Sequence, residues 1–157
     1  MRYFLMALSF GGIVAADQLT KYLVVKNIAL HSLVEAVPGL FSLTYTQNTG
    51  AAFSSFLGMQ WLFLLVFAVF TVFLAYILIK NAFGLSRFEQ WLLVFVYAGG
   101  FGNMLDRVRL GYVVDMIHLD FMDFPVFNVA DCFITCSCIV LMIHLFFFNK
   151  AFWKDKK

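Results

Sequence analysis

With 157 residues and a formal net charge of +2, the chain carries too little positive charge for a nucleic-acid surface. It is 63% hydrophobic and 13% charged, with a mean hydropathy of +0.90, against ~45–50% apolar and ~25% charged in an ordinary soluble domain. These values exclude a soluble globular fold and identify an integral membrane protein.

The first apolar segment covers about residues 3–25. Met1-Arg2, the run from Tyr3 to Ala16 and Val14-Ala15-Ala16 also fit a signal peptide with its cleavage site. Apolar character resumes at Tyr22-Leu-Val-Val25, which favours a retained helix. Near its end Asp17 and Lys21 stand four residues apart in the favourable acid-first order, the spacing of an ion pair that ties down a helix end. A polar region follows. In FSLTYTQNTGAAF, Phe41, Leu43 and Tyr45 alternate with Ser42, Thr44 and Thr46, which predicts a short strand within a β region of about 38–56, with Asn48-Thr49-Gly50 as a turn.

The second segment, about 61–79, is long enough at ~1.5 Å per residue to span ~28 Å, about the thickness of a bilayer core. The third covers about 91–107, with its apolar part ending at Leu105. Its Gly99, Gly100 and Gly102 let another helix approach closely, and Asn103, Asp106 and Arg107 share one face near its end. The segment 108–128 is expected to be a loop. The fourth helix, about 129–148, opens with FNVADCF, where Asn128 and Asp131 have the spacing of an N-cap and a first-turn acid. Asp131, Thr135 and Cys138 follow one face of it.

Arg2, Lys80, Arg87, Lys150, Lys154, Lys156 and Lys157 make seven of the eleven basic residues fall on one side of such a topology. That bias puts both termini in the cytoplasm. The expected fold class is therefore an all-α membrane protein of one domain, with four transmembrane helices and a small β element on the extracytoplasmic side. The unusual polar residues then gather at that side: Asp17, Lys21, Asn48, Gly50, Asn103, Asp106, Arg107, Asp115 and Asp131.

Cys132, Cys136 and Cys138 are odd in number and lie in one apolar segment, which argues against a disulfide framework or a zinc site. No two of His31, His118 and His144 have metal-ligand spacing. Two of the aspartates on the outer side can be paired. Asp115 follows Tyr112-Val-Val114, and Asp131 lies beyond a loop containing Pro125. Folding that loop back brings the acids together, where one keeps a proton and polarises a carbonyl while the other activates water. No G-x-S-x-G, H-E-x-x-H or well-placed serine–lysine pair offers an alternative. Two other classes remain open: a small transporter or proton relay, since intramembrane Asp17, Lys21 and Asp131 could mark an ion path, and a purely structural subunit.

The blocks DQLTK (Asp17–Lys21), QNTGAAF (Gln47–Phe53), GGFGNMLDR (Gly99–Arg107), GYVVDMIH (Gly111–His118) and FNVADCF (Phe127–Phe133), in this order, resemble lipoprotein signal peptidase, the bacterial signal peptidase II. The resemblance spans nearly the whole chain. It implies a membrane aspartic endopeptidase that removes the signal peptide from diacylglyceryl-modified prolipoproteins, cleaving before the lipidated cysteine. It maps the dyad to Asp115 and Asp131. Supporting roles go to Asp17, Lys21, Asn48, Gly50, Asn103, Asp106, Arg107, Asn128 and Ala130. It further implies inhibition by the cyclic peptide globomycin, no metal or other cofactor, membrane lipids around a monomer, and a multi-pass location in the bacterial inner membrane with the site facing outward. Asp120 and Asp123, between the two acids, depart from the family pattern.

Overall fold

The structure, a computed structural model, describes residues 1–50, 60–81 and 83–149. Among the described residues, four helices and three strands follow in the order α1 (Arg2–Asn27), β1 (Leu33–Val37), β2 (Phe41–Asn48), α2 (Gln60–Lys80), α3 (Arg87–Leu110), β3 (Val113–Leu119) and α4 (Val129–Phe147). The part of the expected β region beyond Gly50 and the basic residues from Lys150 onward lie outside the described residues. By length and composition, α1, α2 and α4 can each cross a membrane. α3 is equally long, but Arg87 and Glu89 at one end and Asp106, Arg107 and Arg109 at the other bracket its apolar stretch.

Each helix boundary has a local cause. Ser86 caps α3 with a reciprocal box: its Oγ accepts from the Glu89 amide at 3.3 Å and Glu89 Oε2 accepts from the Ser86 amide at 2.6 Å. That serine-to-glutamate spacing is a helix start written in the sequence. It explains why α3 begins four residues before its apolar run. Gly111 ends α3 in the left-handed region at φ 81°, where its amide bonds Arg107 O and where a side chain would be strained.

α3 is the central element. Its Tyr97 ring stacks on Phe67 of α2, at 5.1 Å and 8° between planes, and on Phe10 of α1 at 5.7 Å. Against α4 the contact is closer. A Cβ on Gly99 would stand 2.5 Å from Ala130 O of α4, and, on the side of α1, one on Gly102 would stand 2.5 Å from Asp17 Oδ2. These two positions therefore admit only hydrogen, and the glycines serve packing as the small-residue pattern implies. At the opposite end, fully buried Glu89 accepts from Asn149 Nδ2 at 2.6 Å and meets His144 Nδ1 at 2.8 Å, so a polar clamp joins the start of α3 to the end of α4.

The β element is a three-stranded antiparallel sheet ordered β1-β2-β3. The alternation at Phe41–Thr46 does produce a strand, β2. The segment expected as a loop, 108–128, is corrected: it begins with the last turn of α3 and contains β3, which pairs Thr46 with Asp115 and Asn48 with Val113. Val113, Val114, Asp115 and Met116 are all buried, so no period-2 pattern marks the strand; its pairing is with residues far away in sequence. Beyond β3 the chain folds back. Phe127 O accepts the amides of Met116 and Ile117 at 2.9 and 2.7 Å, and Phe127 N donates to Ile117 O at 3.1 Å.

Because the atom facing Gly99 is backbone, Gly99→Ala should destabilise the α3–α4 packing by about 1–3 kcal/mol. Gly100→Ala meets only the Phe67 ring edge, at 3.0 Å, and should cost less. Melting of the two variants in detergent checks the order.

Candidate active site

The sheet and the ends of α1, α3 and α4 converge on one buried polar cluster. Lys21 sits at its centre, 3% exposed. Its ammonium reaches Asp17 Oδ2 at 2.9 Å, Asp106 Oδ2 at 2.9 Å and Asn103 Oδ1 at 2.8 Å. Three donors thus meet three acceptors, which an ammonium taken out of water requires.

Each of the two carboxylates then holds a second strand of backbone. Asp106 Oδ2 accepts the Val114 amide at 3.2 Å, and Asp17 Oδ1 accepts the Ala130 amide at 3.0 Å. Val114 and Ala130 immediately precede Asp115 and Asp131. One cation therefore fixes, through two anions, the backbone just before both candidate acids.

The side chains of those acids are held by amides. Asp115 Oδ1 accepts from Asn128 Nδ2 at 2.6 Å, and its Oδ2 accepts from Asn48 Nδ2 at 2.9 Å. Asp131 Oδ1 accepts from Asn103 Nδ2 at 2.8 Å, and its Oδ2 accepts from the Asn128 amide at 3.1 Å. The last bond is half of the expected cap: Asn128 Oδ1 accepts the Asp131 amide at 3.0 Å in return. Asn128 is fully buried and touches both acids. Its other side-chain proton goes to Asn103 Oδ1 at 3.1 Å, closing the circuit to Lys21.

Asp115 lies on the sheet, 3% exposed. Burial pushes its carboxyl from 3.8 up to about 6; the charge of Asp131 adds to the rise, while hydrogen bonds from Asn48 and Asn128 and the charge of Lys21 restrain it. A carboxyl in this range can hold or release a proton near neutrality.

The remaining predicted residues close the front. Gly50 donates its amide to Asn48 Oδ1 at 3.0 Å, giving the expected turn, and its carbonyl accepts from Arg107 Nη2 at 2.7 Å. The Arg107 guanidinium also lies 4.5 Å over the Phe63 ring. All eleven positions singled out in the sequence thus belong to one connected network: Asp17, Lys21, Asn48, Gly50, Asn103, Asp106, Arg107, Asp115, Asn128, Ala130 and Asp131. Gln18 was not foreseen. Its Nε2 donates to Asp106 Oδ1 at 2.9 Å and Gly102 O at 3.2 Å, and its Oε1 accepts from Arg109. Its one signal is a polar residue within the DQLTK block. Asp120, by contrast, is structural: it accepts from Ser42 Oγ at 3.1 Å and meets His118 Nδ1 at 3.2 Å.

Asp115 and Asp131 open on a cavity of about 710 Å³, walled by Thr46–Thr49, Phe124–Phe127 and one face of α4. On that face Thr135 joins Asp131 as expected, with Cys132 and Cys136 in place of Cys138. Among the described residues, no group of three or more His, Cys, Asp or Glu is placed to hold a metal ion.

The model of the family described as Signal peptidase (SPase) II matches residues 9–147. The chain belongs to the signal peptidase II family. It is 44% identical over 156 residues to a lipoprotein signal peptidase of Streptococcus pyogenes serotype M2, covering 99% of this chain and 97% of the relative. It is 46% identical over 148 residues to one of Streptococcus agalactiae serotype Ia, covering 92% and 88%. Two solved bacterial membrane enzymes share the fold, with TM-scores of 0.84 and 0.82 at 30% and 31% identity; the first covers 98% of this chain and 93% of its own. This signal peptidase II family member is accordingly a membrane peptidase, and the buried network lies in the part of the chain that the family model spans.

Lys21→Met removes the cation from two buried carboxylates and should cost about 3–5 kcal/mol. The expected result is a lower melting temperature in detergent together with loss of peptidase activity, measured on the same preparation.

Proposed function

We propose that this family member is an aspartic endopeptidase that removes the signal peptide from diacylglyceryl-modified prolipoproteins, cleaving before the lipidated cysteine. Asp115 and Asp131 form its dyad. The observation that carries this reading is the pair of carboxyls that both accept from Asn128 and both line one cavity. Two such acids share a proton: one activates water as general base while the other donates toward the carbonyl oxygen and then to the leaving amide. The raised Asp115 carboxyl supports a proton kept within the pair. Asn103, Asn128 and Asn48 orient the carboxyls, Lys21 with Asp17 and Asp106 fixes their backbone, and Arg107 with Gly50 borders the substrate. No cofactor or metal enters the scheme.

The topology that goes with it is four spans with both termini in the cytoplasm of a bacterium and the site at the extracytoplasmic face of the inner membrane. Support comes from the basic residues. Arg2, Lys80 and Arg87 lie at the helix ends remote from the sheet, while the sheet joins α1 to α3 and α4 at the other. α3, despite charged ends, has an uncharged stretch from Gln90 to Leu105 between them, about 24 Å at ~1.5 Å per residue, and its Arg109 and Arg107 stand where side chains can reach the interface. A substrate whose acyl chains sit in the outer leaflet presents its scissile bond at that depth. Globomycin, as a cyclic peptide, would compete for the same cavity, and the enzyme acts as a monomer.

Cleavage of a lipidated prolipoprotein in detergent tests the dyad. Asp115→Asn and Asp131→Asn should each abolish turnover while melting close to the parent, and substantial activity in either variant overturns the assignment. A finer test follows from the hydrogen bond of Asn48. Its Nδ2 stabilises the charged form of Asp115, so Asn48→Ala should move the corresponding step of the pH–rate profile upward from about 6. A downward shift contradicts the assignment of that step to Asp115.

A further inference from the structure

We propose that Cys132 and Cys136 form a thiol-capture site in the wall of the catalytic cavity, which takes small neutral electrophiles or disulfides and, once modified, excludes the peptide. The inference rests on the reading that this cavity holds the scissile segment. Both cysteines line the cavity beside Asp131 and Thr135. Both are free thiols; Cys136 is exposed and Cys132 half-buried. The third free thiol, Cys138, is half-buried on the same helix but does not line the cavity, so it supplies an internal reference.

Helix geometry decides what these thiols can do. Four residues apart, their Cβ atoms stand about 5–6 Å from each other, beyond the ~3.5–4.5 Å that a disulfide needs. The pair therefore stays as two separate thiols. Cys132 directly follows Asp131, and Cys136 lies about 7.5 Å farther along the axis than Asp131. An adduct on either sulfur takes up room in the cavity that both acids line. Phe124, Pro125 and Val126 give the same cavity an apolar lining, which favours neutral over charged reagents.

The chemistry is simple addition or exchange. With N-ethylmaleimide the cysteine sulfur adds to the ring double bond; one S–C bond forms, the thiol proton ends on the adjacent ring carbon, and nothing leaves. With methyl methanethiosulfonate the sulfur displaces methanesulfinate, a mixed disulfide forms, and the proton passes to solvent. The thiosulfonate is the oxidant, and dithiothreitol reverses the step.

The test uses the full chain in detergent micelles, with peptide mass mapping of the modified cysteines beside cleavage of a lipidated prolipoprotein. Modification at Cys132 or Cys136 should lower the rate roughly tenfold or more, and dithiothreitol should restore it after the thiosulfonate. The double variant Cys132→Ser, Cys136→Ser, compared with its own untreated rate, should resist both reagents, whereas Cys138→Ser should lose activity like the parent. Added precursor should slow labelling of Cys132 and Cys136 but not of Cys138, a readout that needs no variant. Full modification of both cavity thiols with an unchanged rate overturns the proposal, as does equal loss in the double variant or labelling that precursor does not slow. Failure of the dyad reading would show separately, as turnover by Asp115→Asn without any reagent.

Discussion

The buried ammonium of Lys21 is the constraint on which the site depends. An unpaired charge at this depth is costly, and the chain surrounds it with Asp17, Asp106 and Asn103, all within 2.9 Å. Those partners are then no longer free to vary. Asp17 must sit against α3, which requires hydrogen at position 102, and Asp106 must face the start of β3. Satisfying one cation thereby sets where the chain stands just before Asp115 and just before Asp131.

From that frame the amides do the finer work. Asn128 is a helix cap, a donor to Asp115 and a donor to Asn103 at once. A cap fixes the first turn of α4, so the direction of Asp131 is settled by the same group that holds its partner. Every oxygen of the two carboxyls has an amide donor. Such preorganisation leaves the pair little freedom to reorient, which for the proposed dyad is the condition under which acid–base groups are most effective. The resulting pair faces a cavity whose other walls come from β2 and from the segment that Phe127 pins back onto β3. Fold and site are thus one construction: the sheet carries Asn48 and Asp115, and the helix ends carry the rest.

The sequence displayed the local half of this design. Asp17 and Lys21 are one helical turn apart, Asn128 and Asp131 have capping spacing, and Phe41 to Thr46 alternate, so each could be placed from near neighbours alone. The five ordered blocks then marked the family. What stayed hidden was set by distant contacts. β3 is buried at four successive residues and gives no alternation. β1 is exposed throughout and is held as a strand by pairing with β2, not by burial. The reach of Lys21 to Asp106, and of Gln18 to Gly102, crosses between helices. The start of α3 was legible in principle, since Ser86 and Glu89 spell a capping box, but charge at that end masked it from a reading based on apolar runs. Cys136 replaced Cys138 in the cavity wall because the cavity follows the neighbours of α4 as well as its helical phase.

The central claim is that Asp115 and Asp131 act together on one tetrahedral centre. A structure of the enzyme bound to a lipidated peptide in which a secondary alcohol replaces the scissile amide tests it most directly. The account predicts the hydroxyl within hydrogen-bond distance of both carboxyls, with Asn48, Asn103 and Asn128 still holding their outer oxygens. A hydroxyl bound to one acid alone, or seated against Arg107 away from both, would contradict it.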